Sequence, residues 1–299
     1  MILLNGTALF LPRADPAEIL TLAKSERITA LYLVPTIYYD LLKHIKEKAG
    51  SNFFVKKLAY AGAPMPVRMI KECQQVFSPE VFVSQYGCTE MLAITINCQL
   101  EKKPAAAGRP ALQTSIRIVT ADNSKEVMPH EILPPGKIGE IIVDASSPQT
   151  FLGYLKNPLQ TNKVLRQGWY FTGDLGYIDQ EGDLHLMGRV DDMIISGGEN
   201  VYPQEVEQVL LQHPKVKEVA VTGLPHKRFG EIVTAFVVPK EKGLNSRELE
   251  NFCLEHPELA RFKRPRSFVF IEEIPKSAAG KVLRTSLKNG RIITNKEME

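Results

Sequence analysis

A carboxylate and a guanidinium occur close together, in two runs that predict neighbouring strands. Asp174 lies in the run YFTGDLGYID, and Arg189 ends the run LHLMGR. The glycine turn at Gly182 predicts a hairpin, with Asp174 at a strand end. A carboxylate can accept two hydrogen bonds at once, and a guanidinium presents a planar fork of donors to ribose oxygens or phosphate. The two residues therefore predict polar groups of the kind that a nucleotide site needs.

Directly after Arg189 the strand-forming pattern of the sequence is interrupted. Asp191 and Asp192 are poor strand formers between two predicted strands, so a connector there could swivel without a regular ladder to resist it. A strand MIIS, a turn at Gly197–Gly198 and an amphipathic helix beginning at Pro203 follow. Taken singly, these features describe only a hairpin that leads into a helix.

Alternating apolar strands and amphipathic helices come before this region. The runs TALFLP, TALYLVP, FVKKLAYAGAP and VFVSQYG are separated by helical patterns, as in a parallel sheet with crossover helices. Loops at Gly62-Ala63-Pro64 and at Tyr86-Gly87-Cys88-Thr89-Glu90 follow two of these strands, at the edge where open parallel sheets bind ligands. The Thr89 hydroxyl can donate to a phosphate oxygen, and Glu90 can hold Mg²⁺ directly or through water.

These elements predict an α/β fold in three parts. Residues 1–105 form a partial parallel-sheet subdomain, and residues 106–189, with short strands separated by Gly, Pro and Asn, form a small β-barrel-like subdomain. Residues 190–299 form a compact α+β C-terminal domain of plausible size. The first two parts together, residues 1–189, make up one large domain.

Three strings agree in order and spacing with one known family. FTGD, GRVDDMIISGGENVYPQEVE and IPKSAAGK together resemble the adenylate-forming, AMP-binding superfamily of acyl-CoA synthetases, luciferases and peptide-synthetase adenylation domains. The wording is most similar to that of chlorobenzoate-type aryl-CoA ligases. The resemblance implies a ligase that activates a small-molecule carboxylic acid with ATP and Mg²⁺ as an acyl-adenylate, and then forms a thioester with coenzyme A.

The resemblance also implies a role for each matching position. Lys281 would bridge the substrate carboxylate and the α-phosphate, Thr89 and Glu90 would act on the phosphates and the metal, and Asp191 would be the hinge of a mobile C-terminal domain. The implied nucleotide and coenzyme A contacts are Gly62, Ala63, Pro64, Tyr86, Gly87, Thr89, Asp174, Arg189, Gly197, Gly198, Phe229, Phe262 and Arg264. The implied acyl pocket contains Tyr32, Gln85 and Leu92. Ordinary core packing explains Tyr32 and Leu92 equally well, and a basic loop at 262–266 is a common surface feature.

The Ser/Thr/Gly-rich phosphate loop of the superfamily has no counterpart upstream of Gly62. We therefore expect a fragment, a chain that pairs with a separately encoded N-terminal half, or a decayed relative. Three functions stay open. The first is a CoA ligase, the second is an adenylating enzyme that loads a carrier-protein thiol, and the third is a non-enzymatic nucleotide- or CoA-binding remnant or subunit.

Composition narrows the class of protein. The 299 residues are 44% hydrophobic, which is ample for a core, and 37 basic and 34 acidic residues are interspersed. This charge pattern predicts neither a nucleic-acid surface nor a membrane span. The four cysteines have neither metal-ligand nor disulfide spacing, so a cytoplasmic location is expected.

Overall fold

The computed structural model describes residues 6–47, 55–122, 126–277 and 281–290. The chain forms two compact units, Met1–Leu112 and Gln113–Glu299, each with its own apolar core. Both sides of the expected domain boundary at residues 189 and 190 lie in the second unit. That boundary therefore stays a prediction, as does the boundary at residues 105 and 106.

The first unit is a mixed sheet with three helices. Its parallel strands β1, β2 and β3 lie side by side, and two short antiparallel strands continue the sheet in the order β1-β2-β3-β4-β5. This arrangement confirms the expected α/β alternation, although the antiparallel extension was not foreseen. The elements are α1 Pro16–Ser25, β1 Ala30–Leu33, α2 Pro35–Glu47, β2 Lys57–Ala61, α3 Val67–Phe77, β3 Val81–Tyr86, β4 Thr95–Asn97 and β5 Arg109–Pro110.

Local signals and one buried tyrosine explain this packing. Asp15 accepts a hydrogen bond from the Glu18 amide at the start of α1, where Pro16 fits the first turn. Tyr38 on α2 is fully buried, and its hydroxyl lies 3.1 Å from the Leu31 carbonyl and 3.0 Å from the Ala59 carbonyl. The hydroxyl therefore ties α2 to both β1 and β2.

The expectation of a strand at TALFLP is wrong for the described residues 7–12. They form no regular element, and the Phe10 side chain is 89% exposed. An apolar run becomes a strand only where a neighbouring strand completes its backbone hydrogen bonds, and apolar content alone does not supply one. Residues 1–5, which belong to the same expected strand, lie outside the described ranges.

The second unit begins with an antiparallel sheet in the order β10-β9-β7-β6, with β8 also paired to β9. The predicted β-rich subdomain is thus confirmed as an antiparallel sheet. The helix α4 was missed, although Asn157 caps it and Pro158 begins it. The elements are β6 Ile116–Val119, β7 Gly139–Asp144, α4 Pro158–Val164, β8 Leu165–Arg166, β9 Trp169–Ile178 and β10 Leu184–Arg189.

A second sheet completes this unit, after a short 3-10 helix at Val190–Asp192. Its order is β12-β11-β14-β13, and β15 pairs with β14 in parallel. The apolar stripe of α5 is buried against this sheet, as the sequence predicts. The elements are β11 Ile194–Ser196, β12 Glu199–Val201, α5 Pro203–Leu211, β13 Val216–His226, β14 Gly230–Pro239, α6 Ser246–Glu255, β15 Ser267–Phe270 and α7 Arg284–Lys288.

The helices seen in the described ranges are short. Among them, none has the length and the apolar composition that crossing a bilayer would require.

Candidate functional site

Asp174 and Arg189 face each other on two adjacent strands. They are register partners on β9 and β10, and Arg189 Nη1 donates to Asp174 Oδ1 over 2.7 Å. The expectation that Asp174 ends a strand is wrong, since β9 continues through it to Ile178. Gly173, with φ +68°, bends the backbone inside the strand without ending the ladder.

The backbone beside this pair is fixed by neighbouring polar groups. The Thr172 hydroxyl donates to the Ile141 carbonyl over 2.7 Å and accepts from the Asp174 amide over 2.9 Å. Arg189 Nη1 also donates to the Thr172 carbonyl, over 3.0 Å. A Cβ atom on Gly173 would lie 2.9 Å from Arg189 Nη2, so glycine is needed for the guanidinium to lie there. The pair is therefore preorganised before any ligand arrives.

A buried carboxylate lies behind the same turn of backbone. Glu140 on β7 is 9% exposed and accepts a hydrogen bond from the Gly173 amide over 3.0 Å. Burial raises the pKa of Glu140, while the Gly173 hydrogen bond and the positive charges of Arg166 and Arg189 act in the opposite direction. Because burial dominates, the charged form of Glu140 destabilises the folded chain.

In the first unit, Thr89 and Glu90 lie on a tight loop after β3. The Cys88 amide donates to the Met91 carbonyl over 3.0 Å, and the Ile94 amide donates to the Tyr86 carbonyl over 2.8 Å. These bonds close the loop around its tip, where Thr89 is exposed and Glu90 is partly buried. The loop therefore presents a hydroxyl and a carboxylate side by side at the carboxyl edge of the sheet.

The three residues expected in the acyl pocket are joined by hydrogen bonds. The Tyr32 hydroxyl donates to Gln85 Oε1 over 3.2 Å, and Gln85 Nε2 donates to the Leu92 carbonyl over 2.6 Å. Tyr32 and Leu92 are 58% and 70% exposed, so they are surface groups in this unit and not packed core. At Gly87, an added Cβ would lie 2.2 Å from the Leu92 carbonyl oxygen, which explains the glycine.

The loop Gly62-Ala63-Pro64 follows β2, at the same edge of the sheet as the end of β3. Gly62 has φ +88°, a conformation that glycine adopts without strain. Because β2 and β3 are parallel neighbours, this loop and the segment that begins at Tyr86 leave the sheet on the same side.

Lys281 lies on a narrow hairpin-like segment in the second unit. The Ser277 amide donates to the Lys281 carbonyl over 2.8 Å, and the Lys281 amide donates to Ser277 Oγ over 3.2 Å. A bridge between Lys276 and Val282 continues the pairing. The Lys281 side chain is exposed beyond this paired base, while residues 278–280, including the expected turn at Gly280, lie outside the described ranges.

The Gly197–Gly198 turn lies against the β13–β14 hairpin. The Gly197 amide donates to the Phe229 carbonyl over 2.8 Å, and a Cβ atom on Gly197 would lie 3.3 Å from the Phe229 ring. The Arg266 guanidinium lies 4.5 Å from the centroid of that ring, and His226 stacks on it at 5.2 Å. An aromatic face, a cation and a glycine turn thus meet at one place.

Two basic side chains of the neighbouring loop, residues 262–266, form ion pairs with helices. Phe262 is 43% exposed, and Lys263 forms an ion pair with Glu205 on α5. Arg264 forms an ion pair with Glu250 on α6, at 3.2 Å. Within this loop Arg266, and not Arg264, lies over the Phe229 ring, and Arg228 of the β13–β14 turn lies 5.2 Å from the same ring centroid.

Three contributors near the site were missed by the sequence analysis. Thr172 and Glu140 support Asp174 and Arg189, and Arg284 joins the Lys281 segment to distant parts of the second unit. A charged residue inside the apolar run GEIIV was a usable signal for Glu140. Nothing in the local sequence points to the partners of Arg284.

Comparison with known proteins decides the family. The model of the AMP-binding enzyme family matches residues 1–155, more than half of the chain. The chain belongs to the family of AMP-binding enzymes. The model of the AMP-binding enzyme C-terminal domain matches residues 205–281.

Three relatives show how much of an AMP-binding enzyme is present. The chain is 38% identical over 285 residues to 4-chlorobenzoate–CoA ligase of Arthrobacter sp, covering 95% of the chain and 53% of the relative. ATP-bound MatB from Rhodopseudomonas palustris is 34% identical with a TM-score of 0.78, over 94% of this chain and 54% of that one. o-Succinylbenzoate CoA synthetase from Bacillus subtilis, in complex with its acyl-adenylate intermediate, is 31% identical with a TM-score of 0.74, over 92% and 54%. The chain therefore spans about half the length of these relatives.

Glu140→Gln tests the buried carboxylate behind the Asp174–Arg189 pair. The folded pKa of Glu140 is raised, so the unaltered protein loses stability as pH rises from about 4 through that pKa, whereas glutamine stays neutral. The variant should therefore become more stable relative to the unaltered chain between about pH 4 and pH 7. Urea unfolding followed by the fluorescence of Trp169, the one tryptophan, measures this difference. A difference that is constant across this range for Glu140→Gln would contradict the assignment.

Proposed function

We propose that this chain is the catalytic C-terminal portion of an ATP-dependent carboxylic acid–CoA ligase. The reaction first joins the acid to AMP, with release of pyrophosphate, and then transfers the acyl group to the thiol of coenzyme A. ATP, the acid and coenzyme A are the substrates. Support comes from family membership and from relatives whose names describe CoA ligases and an acyl-adenylate complex.

The observation that carries the proposal is the Asp174–Arg189 pair. A carboxylate is held at one fixed place beside a guanidinium, with its backbone fixed by Thr172 and Glu140. Half of the Arg189 side chain is exposed, so the pair lies within reach of a ligand. A vicinal diol needs an acceptor and donors arranged in this way, and we assign the ribose of ATP to this pair.

We assign the chemistry of the first step to groups on different elements. The acid and the α-phosphate are both anionic, so the reaction needs positive charge where the new oxygen–phosphorus bond forms. Lys281 is an ammonium on a flexible stem, exposed on a paired segment, and it is suited to neutralise that charge. Thr89 donates its hydroxyl to a phosphate oxygen. The adenine is assigned to the edge formed by Gly62-Ala63-Pro64, Tyr86 and Gly87.

Mg²⁺ is assigned to Glu90. A partly buried carboxylate at the tip of a loop fixed by backbone bonds is an oxygen ligand of the kind that Mg²⁺ accepts, with water and substrate phosphates completing its shell. When bound, the metal would neutralise phosphate charge as pyrophosphate departs. The protein's own part is to keep the Glu90 carboxylate in place.

In the second step the Lys281 side chain must leave the reaction site, so that the thiol of coenzyme A can reach the acyl-adenylate. We propose that residues 190–299 move as a domain about Asp191, which is exposed in the short 3-10 helix after β10. Coenzyme A would follow the Gly197–Gly198 turn. Its nucleotide would stack on Phe229 with Arg266 near the phosphates, and Phe262 and Arg264 would lie at the rim.

The acid itself is assigned to the surface that carries Tyr32, Gln85 and Leu92. The linked Tyr32 hydroxyl and Gln85 amide favour an acid with a polar substituent, beside the apolar Leu92 side chain. A separately encoded N-terminal half is a candidate partner, since the relatives are about twice as long as the region they share with this chain. We propose a cytoplasmic enzyme, in keeping with the composition.

AMP binding tests the ribose assignment directly. Asp174→Asn and Arg189→Lys should each weaken the binding of AMP by the chain, measured by calorimetry, at least about tenfold, because each loses a charged or forked hydrogen bond. Glu181→Gln removes one carboxylate from the same hairpin and should leave the affinity unchanged. Equal affinities in all four proteins, or no AMP binding by the unaltered chain, would contradict the assignment.

Lys281→Ala tests the adenylation step in a chimera that joins the N-terminal part of the Arthrobacter ligase to this chain. Loss of the ammonium should lower adenylation, followed by pyrophosphate release, at least about 100-fold. Thioester formation from a supplied acyl-adenylate should change far less. Lys276→Ala, on the opposite leg of the segment, is the matched control. Equal losses in both half-reactions would show that Lys281 has another role.

Coenzyme A protection separates a CoA ligase from an enzyme that loads a carrier protein. Coenzyme A should slow amide hydrogen exchange at residues 226–230 and 262–266, and Phe229→Ala should remove that protection because the stacking face is lost. Protection of these residues by a pantetheine-bearing carrier protein, but not by coenzyme A, would instead favour the carrier-protein function. Protection by neither would favour a non-enzymatic remnant.

A further inference from the structure

One guanidinium in the second unit contacts three distant segments of the chain. Arg284 Nη2 donates to Glu207 Oε1 on α5 over 2.6 Å, and Nε donates to the Val221 carbonyl on β13 over 3.1 Å. Arg284 Nη1 donates to Asp192 Oδ2 over 3.3 Å. Asp192 is the last residue of the short 3-10 helix that follows β10. The side chain of Arg284 thus links α7 to the connector, the 3-10 helix at Val190–Asp192.

Burial makes these contacts stronger than those of an ordinary surface ion pair. The side chains of Arg284 and Glu207 are each 14% exposed. Glu207 also accepts from the Val221 amide over 2.8 Å, so the Arg284–Glu207 pair satisfies both backbone groups of Val221. Burial raises the pKa of Glu207, and the charge of Arg284 opposes that shift. Removing only one partner of a buried charged pair leaves the other charge buried and unpaired, which strongly destabilises the fold.

Arg284 also begins the helix that follows the Lys281 segment. It is the first residue of α7, and Leu287 on the same helix is 1% exposed in an apolar cluster with Phe236 and Ile271. The Leu283 amide, just before Arg284, donates to the Pro275 carbonyl and closes the base of the segment. The position of the Lys281 backbone is therefore set by where Arg284 is held.

The connector is held from two sides. Val190 is 9% exposed and packs with Leu175 of β9, whereas Asp192 is tied to Arg284. Between them, Asp191 is exposed. A rotation that keeps the Arg284–Asp192 contact must therefore take place at or before Asp191.

We infer that Arg284 is a positioning residue, which joins Asp192 and the Lys281 segment into one rigid body and places the pivot upstream of Asp192. The inference rests on the proposed function only for what that body delivers, namely the ammonium of Lys281. A merely structural Arg284 would stabilise the unit without linking the motion of the connector to that of the lysine segment.

Hydrogen exchange with the whole chain tests this link. Arg284→Met removes all three donors and should speed amide exchange about tenfold at both 190–193 and 281–288, since charged hydrogen bonds of this kind are lost. Asp192→Asn should speed exchange at 190–193 alone. Once Arg284 is Met, adding Asp192→Asn should have no further effect at 190–193, because the bond has already gone.

Matched variants keep the test decisive. Lys288→Met removes a more exposed cation from the same helix and should leave 190–193 unchanged. If Arg284→Met unfolds the unit, Glu207→Gln replaces it, because it loosens the anchor of α7 and should speed exchange at 281–288. Unchanged exchange at 190–193 in Asp192→Asn, or additive effects in the double variant, would overturn the inference. Exchange needs neither nucleotide nor turnover, so a failure of AMP binding would not affect this outcome.

Discussion

The pairing of β9 with β10 is the constraint on which the nucleotide assignment depends. It places Asp174 opposite Arg189, and the direct contact between them follows from that register. A slip of either strand by one residue would turn that strand's side chain to the other face of the sheet and separate the pair. The Gly173 conformation and the Thr172 bonds strengthen the same register locally, so the geometry of the pair is a property of the sheet and not of two flexible side chains.

Buried carboxylates support both halves of the second unit in a similar way. Glu140 accepts from the Gly173 amide behind the Asp174–Arg189 pair, and Glu207 accepts from the Val221 amide beside Arg284. Glu140 fixes the backbone next to Asp174, and Glu207 fixes the β13 backbone that Arg284 also contacts, and burial raises the pKa of both carboxylates. Such groups destabilise the fold slightly when charged, and they give precise placement in return.

What the sequence allowed to be predicted was mainly local. Pro203 with its apolar stripe defines a helix start through neighbours only a few residues away, and this helix is found as expected. The run TALFLP failed because a strand depends on a partner elsewhere in the chain, and Asp174 was misplaced because a glycine can bend a strand without ending it. The partner of Glu207, Arg284, is far along the sequence, so no local pattern points to their ion pair.

The candidate site residues also divide into those that local motifs identify and those that depend on contacts between distant parts of the chain. Motif spacing identified Lys281, Thr89, Glu90, Asp174 and Arg189 as candidates, and their roles stay predictions. The supporting contacts of Glu140 and Arg284 depend on tertiary packing, which leaves no periodic signal in a single sequence. The position of Arg266 over the Phe229 ring, while Arg264 pairs with Glu250, is likewise a tertiary contact that the sequence does not reveal.

The hydrogen bond from Gln85 to the backbone carbonyl of Leu92 determines which substitutions the loop tolerates at position 92. The bond recognises the main chain, which every amino acid shares, while the Leu92 side chain projects into solvent. Evolution can therefore exchange the side chain at this position without disturbing the polar chain through Tyr32. Under the proposed acid assignment, substitution at position 92 would change which acid is preferred while the loop keeps its shape.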